Sequence, residues 1–143
     1  MQQKRIRARS RLDSTCVGHL AEPLEGRRLL STMPTLVKDI NPQGDSWSSP
    51  TNLVDINGTL FFTAHDGVNG RELWKSDGTT SGTVLVKDIG PGSVSSSPSY
   101  LINVNGILFF RANDGVNGEE LWRSDGSANG TVLVKDIREG TSA

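Results

Sequence analysis

Four groups of side chains in this sequence are equipped for chemistry, and three of them recur. Trp74 and Trp122 sit at equivalent points of two near-identical stretches, each with an acid two residues before it, Glu72 and Glu120, and a cation directly after it. An indole ring suits the C–H face of a pyranose and a carboxylate accepts from sugar hydroxyls, so these four residues form a candidate glycan-binding set. The competing reading buries both tryptophans, each ring covering about 150–250 Å² of surface. Trp47 has no counterpart, since Ser95 aligns with it, and its place on a Ser-rich connection makes it a separate candidate contact residue. Asp66, Asn69, Asp114, Asn117 and Glu119 belong to two copies of a D-G-V-N-G loop, and oxygen-bearing loops suit calcium. Neither the EF-hand spacing nor the GGxGxD nonapeptide accompanies them. The pairs Asp77-Gly78 and Asp125-Gly126 have the chemistry of a turn, a carboxylate accepting backbone N–H bonds beside a glycine free to take positive φ.

Enzyme signatures are missing from the sequence. There is no GxSxG, Walker loop, HExxH or CxxC. His65 aligns with Asn113 and His19 lies near the N-terminus, so no histidine recurs in a repeated site. Most carboxylates occur twice, which suits turns and solvated edges better than one asymmetric acid–base pair. The expectation is a protein that is not an enzyme and has no cofactor, calcium excepted.

The elements that must position these residues are set by repetition. Leu36-Val-Lys-Asp-Ile40 returns at Leu85 to Ile89 and again at Leu133 to Ile137, and residues 50–89 match residues 98–137 at 27 of 40 positions. Within one repeat, Leu53 to Ile56 is closed by Asn57-Gly58, a two-residue hairpin turn, and Leu60 to Ala64 returns antiparallel. Glu72 to Lys75 makes a third strand, and Thr83 to Ile89 a fourth. Apolar residues keep no 3.6-residue period, and β-branched and aromatic residues concentrate in these runs. Four strands in 48 residues are the size of one propeller blade. The predicted fold is all-β and propeller-like: two four-stranded antiparallel blades, repeat 1 over about 41–89 and repeat 2 over about 90–137, plus one extra strand at Leu36 to Ile40. Closed propellers use about four to eight blades. Two therefore predict either self-association of several chains to complete a ring or an exposed edge prone to aggregate.

Glu72-Leu-Trp-Lys-Ser-Asp-Gly-Thr79 and Glu120-Leu-Trp-Arg-Ser-Asp-Gly-Ser127 resemble the ELWxxDGT repeat of long bacterial surface and secreted proteins, some labelled hyalin-like. The resemblance covers residues 34–140, with Ser127 in place of the motif's threonine. It implies a propeller-like array with no established catalytic activity. Glu22-Pro-Leu-Glu-Gly-Arg-Arg-Leu-Leu-Ser31 resembles the LEPR-XLL motif near the N-termini of large planctomycete proteins thought to be exported, through Leu24, Glu25, Arg27, Leu29 and Leu30, with Gly26 where that motif has proline. Together the two imply an extracellular or cell-surface bacterial protein.

Charge and composition bound the rest. The 143 residues carry 15 basic and 16 acidic side chains, but residues 1–31 are net +4 and residues 32–143 net −5. The first 33 residues thus read as a basic, mostly disordered, targeting-like segment, without the apolar stretch of a secretory signal and with a lone Cys16 as a free thiol. Residues 34–143 form the repeat domain. The basic segment lacks interleaved aromatics and the acidic domain behind it repels polyanions, which argues against nucleic acid. The longest apolar run is four residues, Ile107 to Phe110, far below the roughly 20 of a membrane-spanning helix. The expected role is a structural or adhesive surface module whose partners are further copies, cell-surface polysaccharide or protein. The alternative is a lectin-like or calcium-dependent binding module.

Overall fold

A computed structural model describes residues 33–44 and 47–137. The basic segment, Cys16 and the LEPR-XLL-like residues lie outside the described residues, Met33 excepted. The chain divides into the units Met1–Pro34 and Thr35–Ala143, and the second holds every described strand.

These strands are β1 Thr51–Ile56, β2 Thr59–His65, β3 Arg71–Ser76, β4 Val84–Lys87, β5 Ser99–Val104, β6 Ile107–Asn113, β7 Glu119–Ser124 and β8 Val132–Lys135. They form two four-stranded antiparallel sheets in simple meander order, β1-β2-β3-β4 and β5-β6-β7-β8. Among the described residues the fold is all-β, without a helix. The hairpin turns follow from their residues: Asn57 and Gly58 take φ of 53° and 81°, and Asn105 and Gly106 repeat this at 51° and 85°. Positive φ at both central positions gives the turn twist that matches two right-twisted strands. Each last strand pair contains a bulge. Leu73 opposes Lys87 while Trp74 opposes Leu85, which leaves Val86 as the extra residue.

Side chains alternate along β2 and β3, with Phe61 paired to Lys75 and Thr63 to Leu73 on one face, and Phe62 paired to Trp74 and Ala64 to Glu72 on the other. The Phe61–Leu73 face joins Ile56, Val86 and Ile89 in one buried cluster with Leu108, Phe110, Ala112 and Trp122 of the second sheet. Unlike faces of the two copies therefore meet. The first sheet uses the face opposite its own tryptophan, whereas the second uses the tryptophan face. Equivalent residues accordingly end in different surroundings: Leu73 is 0% exposed and Leu121 40%, Ile89 4% and Ile137 71%. At about 1.5–3 kcal/mol for each large apolar side chain fully buried, this stacking stabilises both sheets.

Leu36–Ile40 lies over part of the Trp74 face of the first sheet and belongs to neither sheet, in contrast to the extra strand expected there. Its backbone pairs with no described strand, and side chains hold it instead. Ile40 packs on Phe62, Ala64 and Trp74. Lys38 Nζ donates to the Thr83 carbonyl at 2.7 Å, and Thr80 Oγ1 donates to the Val37 carbonyl at 2.6 Å. Forty-eight residues on from Thr83, the Thr131 carbonyl accepts from Lys87 Nζ at 2.8 Å. This strap therefore occupies on the first sheet the place that the end of β4 occupies on the second.

Candidate functional site

The recurring acid–tryptophan set is placed by the strand period. Glu72, Trp74 and Ser76 alternate with Leu73 and Lys75 along β3, so acid and tryptophan share a face. Neither tryptophan is presented to solvent, both being 6% exposed. Trp74 lies under the strap with Phe62 and Ala64, and Trp122 lies between the two sheets. Their indole Nε1 groups are buried without a hydrogen-bond partner. Each such omission costs about 1–3 kcal/mol, so apolar packing is what holds these rings in place.

Glu72 is fully buried and its carboxylate is occupied within the chain. Oε1 accepts the backbone N–H groups of Gly90 at 3.2 Å and Ser96 at 2.8 Å; Oε2 accepts the Ile89 N–H at 3.1 Å and the Ser96 hydroxyl. Glu72 thus clamps both ends of the connection that carries the chain from the first sheet to the second. Burial pushes its carboxyl above the ordinary 4.5, against these four donors, which favour the charged form. Glu120 is also buried, and its Oε2 accepts the Ile137 N–H at 3.3 Å. The predicted binding acids and rings are joined to the scaffold, and accessible aromatic surface lies elsewhere. Trp47 is 90% exposed.

The D-G-V-N-G loops close on themselves. Asp66 Oδ1 accepts the N–H groups of Val68 at 2.9 Å and Asn69 at 2.7 Å, and Asp66 Oδ2 accepts the Asn69 side-chain amide at 2.7 Å. Asp114 repeats the pattern with Val116 and Asn117. Burial acts to raise both carboxyls, but these donors outweigh it and hold them below the ordinary 3.8. Glu119 is turned away, its Oε2 3.0 Å from Arg111 Nη1 at the surface. Among the described residues no group of three or more His, Cys, Asp or Glu side chains is placed to hold a metal. The loops thus bring donors to their carboxylates rather than a ring of oxygens.

The Asp-Gly turns have the expected mechanics. Asp77 Oδ1 accepts the Thr79 hydroxyl at 2.7 Å and its N–H at 2.9 Å, while Gly78 takes φ of 88°. Asp125 and Gly126 do the same with Ser127, at 2.7 and 2.8 Å, so the serine substitutes without loss of either bond. The hydroxyl and then the amide draw both carboxyls below 3.8. Sequence reasoning passed over the buried hydroxyl pairs behind these turns, Ser76–Thr83 and Ser124–Thr131, each at 2.7 Å. Their recurrence at both copies was the available signal. It also passed over Tyr100, exposed on β5 at φ 55° with the Arg111 guanidinium 5.2 Å from its ring. Asn52, its counterpart, takes φ of 54°, so the bulge sets this conformation and not the tyrosine.

Among the described residues no helix is long and apolar enough to cross a membrane. No family model, no curated protein and no solved structure matches the chain.

Proposed function

We propose that this chain is a non-catalytic structural or adhesive module of a bacterial cell surface, built from propeller-type blades and completed by association with further copies. One observation carries the reading: in both copies the recurring polar and aromatic residues are engaged by the scaffold itself. Glu72 ties the inter-sheet connection, Trp74 and Trp122 fill the packing layers, and Asp66, Asp77, Asp114 and Asp125 close turns. What is left at the surface is suited to contact rather than turnover. The resemblance to ELWxxDGT and LEPR-XLL sequences supports the surface location and the propeller assignment.

The lectin-like alternative keeps one supporting observation, the 90% exposure of Trp47, which moves it from the recurring tryptophans to the connection before β1. Fluorescence titrations with calcium and with cell-wall polysaccharide separate the two readings. The scaffold reading expects no saturable change. A saturable polysaccharide response abolished by Trp47→Ala, or a calcium response abolished by Asp66→Asn, would replace it.

A further inference from the structure

Between the strap and β1–β2 the first sheet carries an open groove of about 520 Å³, lined by Leu36, Val37, Ile40, Leu53, Leu60 and Phe62. The outer face of the second sheet exposes Val104, Leu121, Val134 and Ile137. These two surfaces are the counterparts of the two halves of the sheet-to-sheet interface inside the chain, and among the described residues neither is stacked on another sheet. In that interface the Phe61 ring lies 3.0 Å from where a Cβ on Gly126 would be, Lys75 Nζ donates to the Gly126 carbonyl at 2.8 Å, and Lys87 Nζ donates to Thr131. The counterparts are in place on the open surfaces. Arg123 and Lys135 stand exposed on the second sheet, and on the first nothing lies within 4 Å of the corresponding point above Gly78.

We propose that the outer face of the second sheet docks on the Trp74 face of another copy's first sheet, repeating the intrachain stacking, and that the strap Leu36–Ile40 is the displaceable occupant of that docking site. The inference rests on the self-association reading above and adds to it the two faces and their control. Strap and partner compete because they are the same peptide: Leu-Val-Lys-Asp-Ile at 36–40 and again at 133–137. Lys38 already makes on Thr83 the contact that Lys135 of an incoming copy would make. The strap yields because it belongs to no sheet, whereas β8 is held to β7 by a backbone ladder. The contact is heterologous, head to tail, and so propagates into a ring or an open series.

Sedimentation velocity over a concentration series of the full chain tests this. The wild type is expected to associate reversibly. Lys38→Ala combined with Thr80→Val removes the two side-chain hydrogen bonds of the strap, leaving the Ile40 packing, and is expected to lower the concentration for half-association about tenfold, because a blocked site weakens apparent affinity by the fraction that is open. Leu121→Asp, at an already exposed position, is expected to abolish association while leaving the circular dichroism spectrum and melting of the monomer unchanged. Association of Leu121→Asp at wild-type strength, or no gain on loosening the strap, would overturn the docking scheme and leave the self-association reading standing. A monomer at every concentration, with the strap loosened as well, would remove both.

Discussion

Replacing Glu72 by glutamine tests the clamp between the sheets with the smallest change of shape. The carboxylate accepts four bonds, two at each oxygen. A glutamine does best with its oxygen toward Gly90 and Ser96 N–H and its amide nitrogen at the Oε2 position, where the Ser96 hydroxyl can rotate to accept. The Ile89 N–H then faces a donor inside a buried cluster. An unsatisfied buried donor costs about 1–3 kcal/mol, and two charge-assisted bonds become neutral ones, each weaker by about 1 kcal/mol. Relief from burying the charge exceeds the loss from the weakened bonds, because burial already holds this carboxyl above 4.5, and returns about 2–3 kcal/mol. The net loss is about 1–2 kcal/mol, which in a unit of this size lowers the melting temperature by roughly 5–15 °C. Urea unfolding followed by tryptophan emission measures the stability, and amide exchange locates the change. Ile89, Gly90 and Ser96 should lose protection before the strand amides do. No measurable loss, or unchanged exchange at these three amides, would refute the clamp.

Further outcomes follow from the same contacts. The lowered carboxyls of Asp66, Asp77, Asp114 and Asp125 contribute stability present above pH 3.8 and lost as pH falls through their folded values, whereas the raised carboxyl of Glu72 contributes stability present below 4.5 and lost as pH rises through its folded value. Melting temperature should therefore peak near pH 4, and Glu72→Gln should flatten the decline above 4.5 while sparing the acid limb; a profile still falling above 4.5 in that variant would contradict the assignment. Gly82→Ala would set a Cβ 2.0 Å from Asp77 Oδ1, so the turn must open, at about 1–3 kcal/mol; Gly130→Ala meets Asp125 at the same distance and should cost as much, with urea midpoints as the check. Leu73→Ala should cost about 2–5 kcal/mol and Leu121→Ala less than about 1, although both leucines occupy one motif position, and equal losses would contradict the stacking order.

The local architecture was legible because its causes are local. Asn57-Gly58 needs no neighbour to favour a two-residue turn, Asp77-Gly78-Thr79 carries donor and acceptor within three residues, and the alternation of Phe61 with Phe62 separates two faces wherever the strand ends up. The site was less legible. Glu72 reads as a free acid beside a tryptophan until the connection folds back and brings Ile89, Gly90 and Ser96 to it. The strap reads as a fourth strand because it has the sequence of one, yet a strand also requires a neighbour to pair with.

By itself the amino-acid sequence determined the hairpins, the turns, the four strands of each repeat and the equivalence of the two copies. Only the tertiary structure decided that equivalent residues would differ. Leu73 and Leu121, Ile89 and Ile137, share their immediate sequence, and one of each pair is buried while the other meets solvent. The physical reason is that burial depends on which face the neighbouring sheet covers. Two like units stacked head to tail must bury opposite faces, and nothing local to either unit records which one it presents.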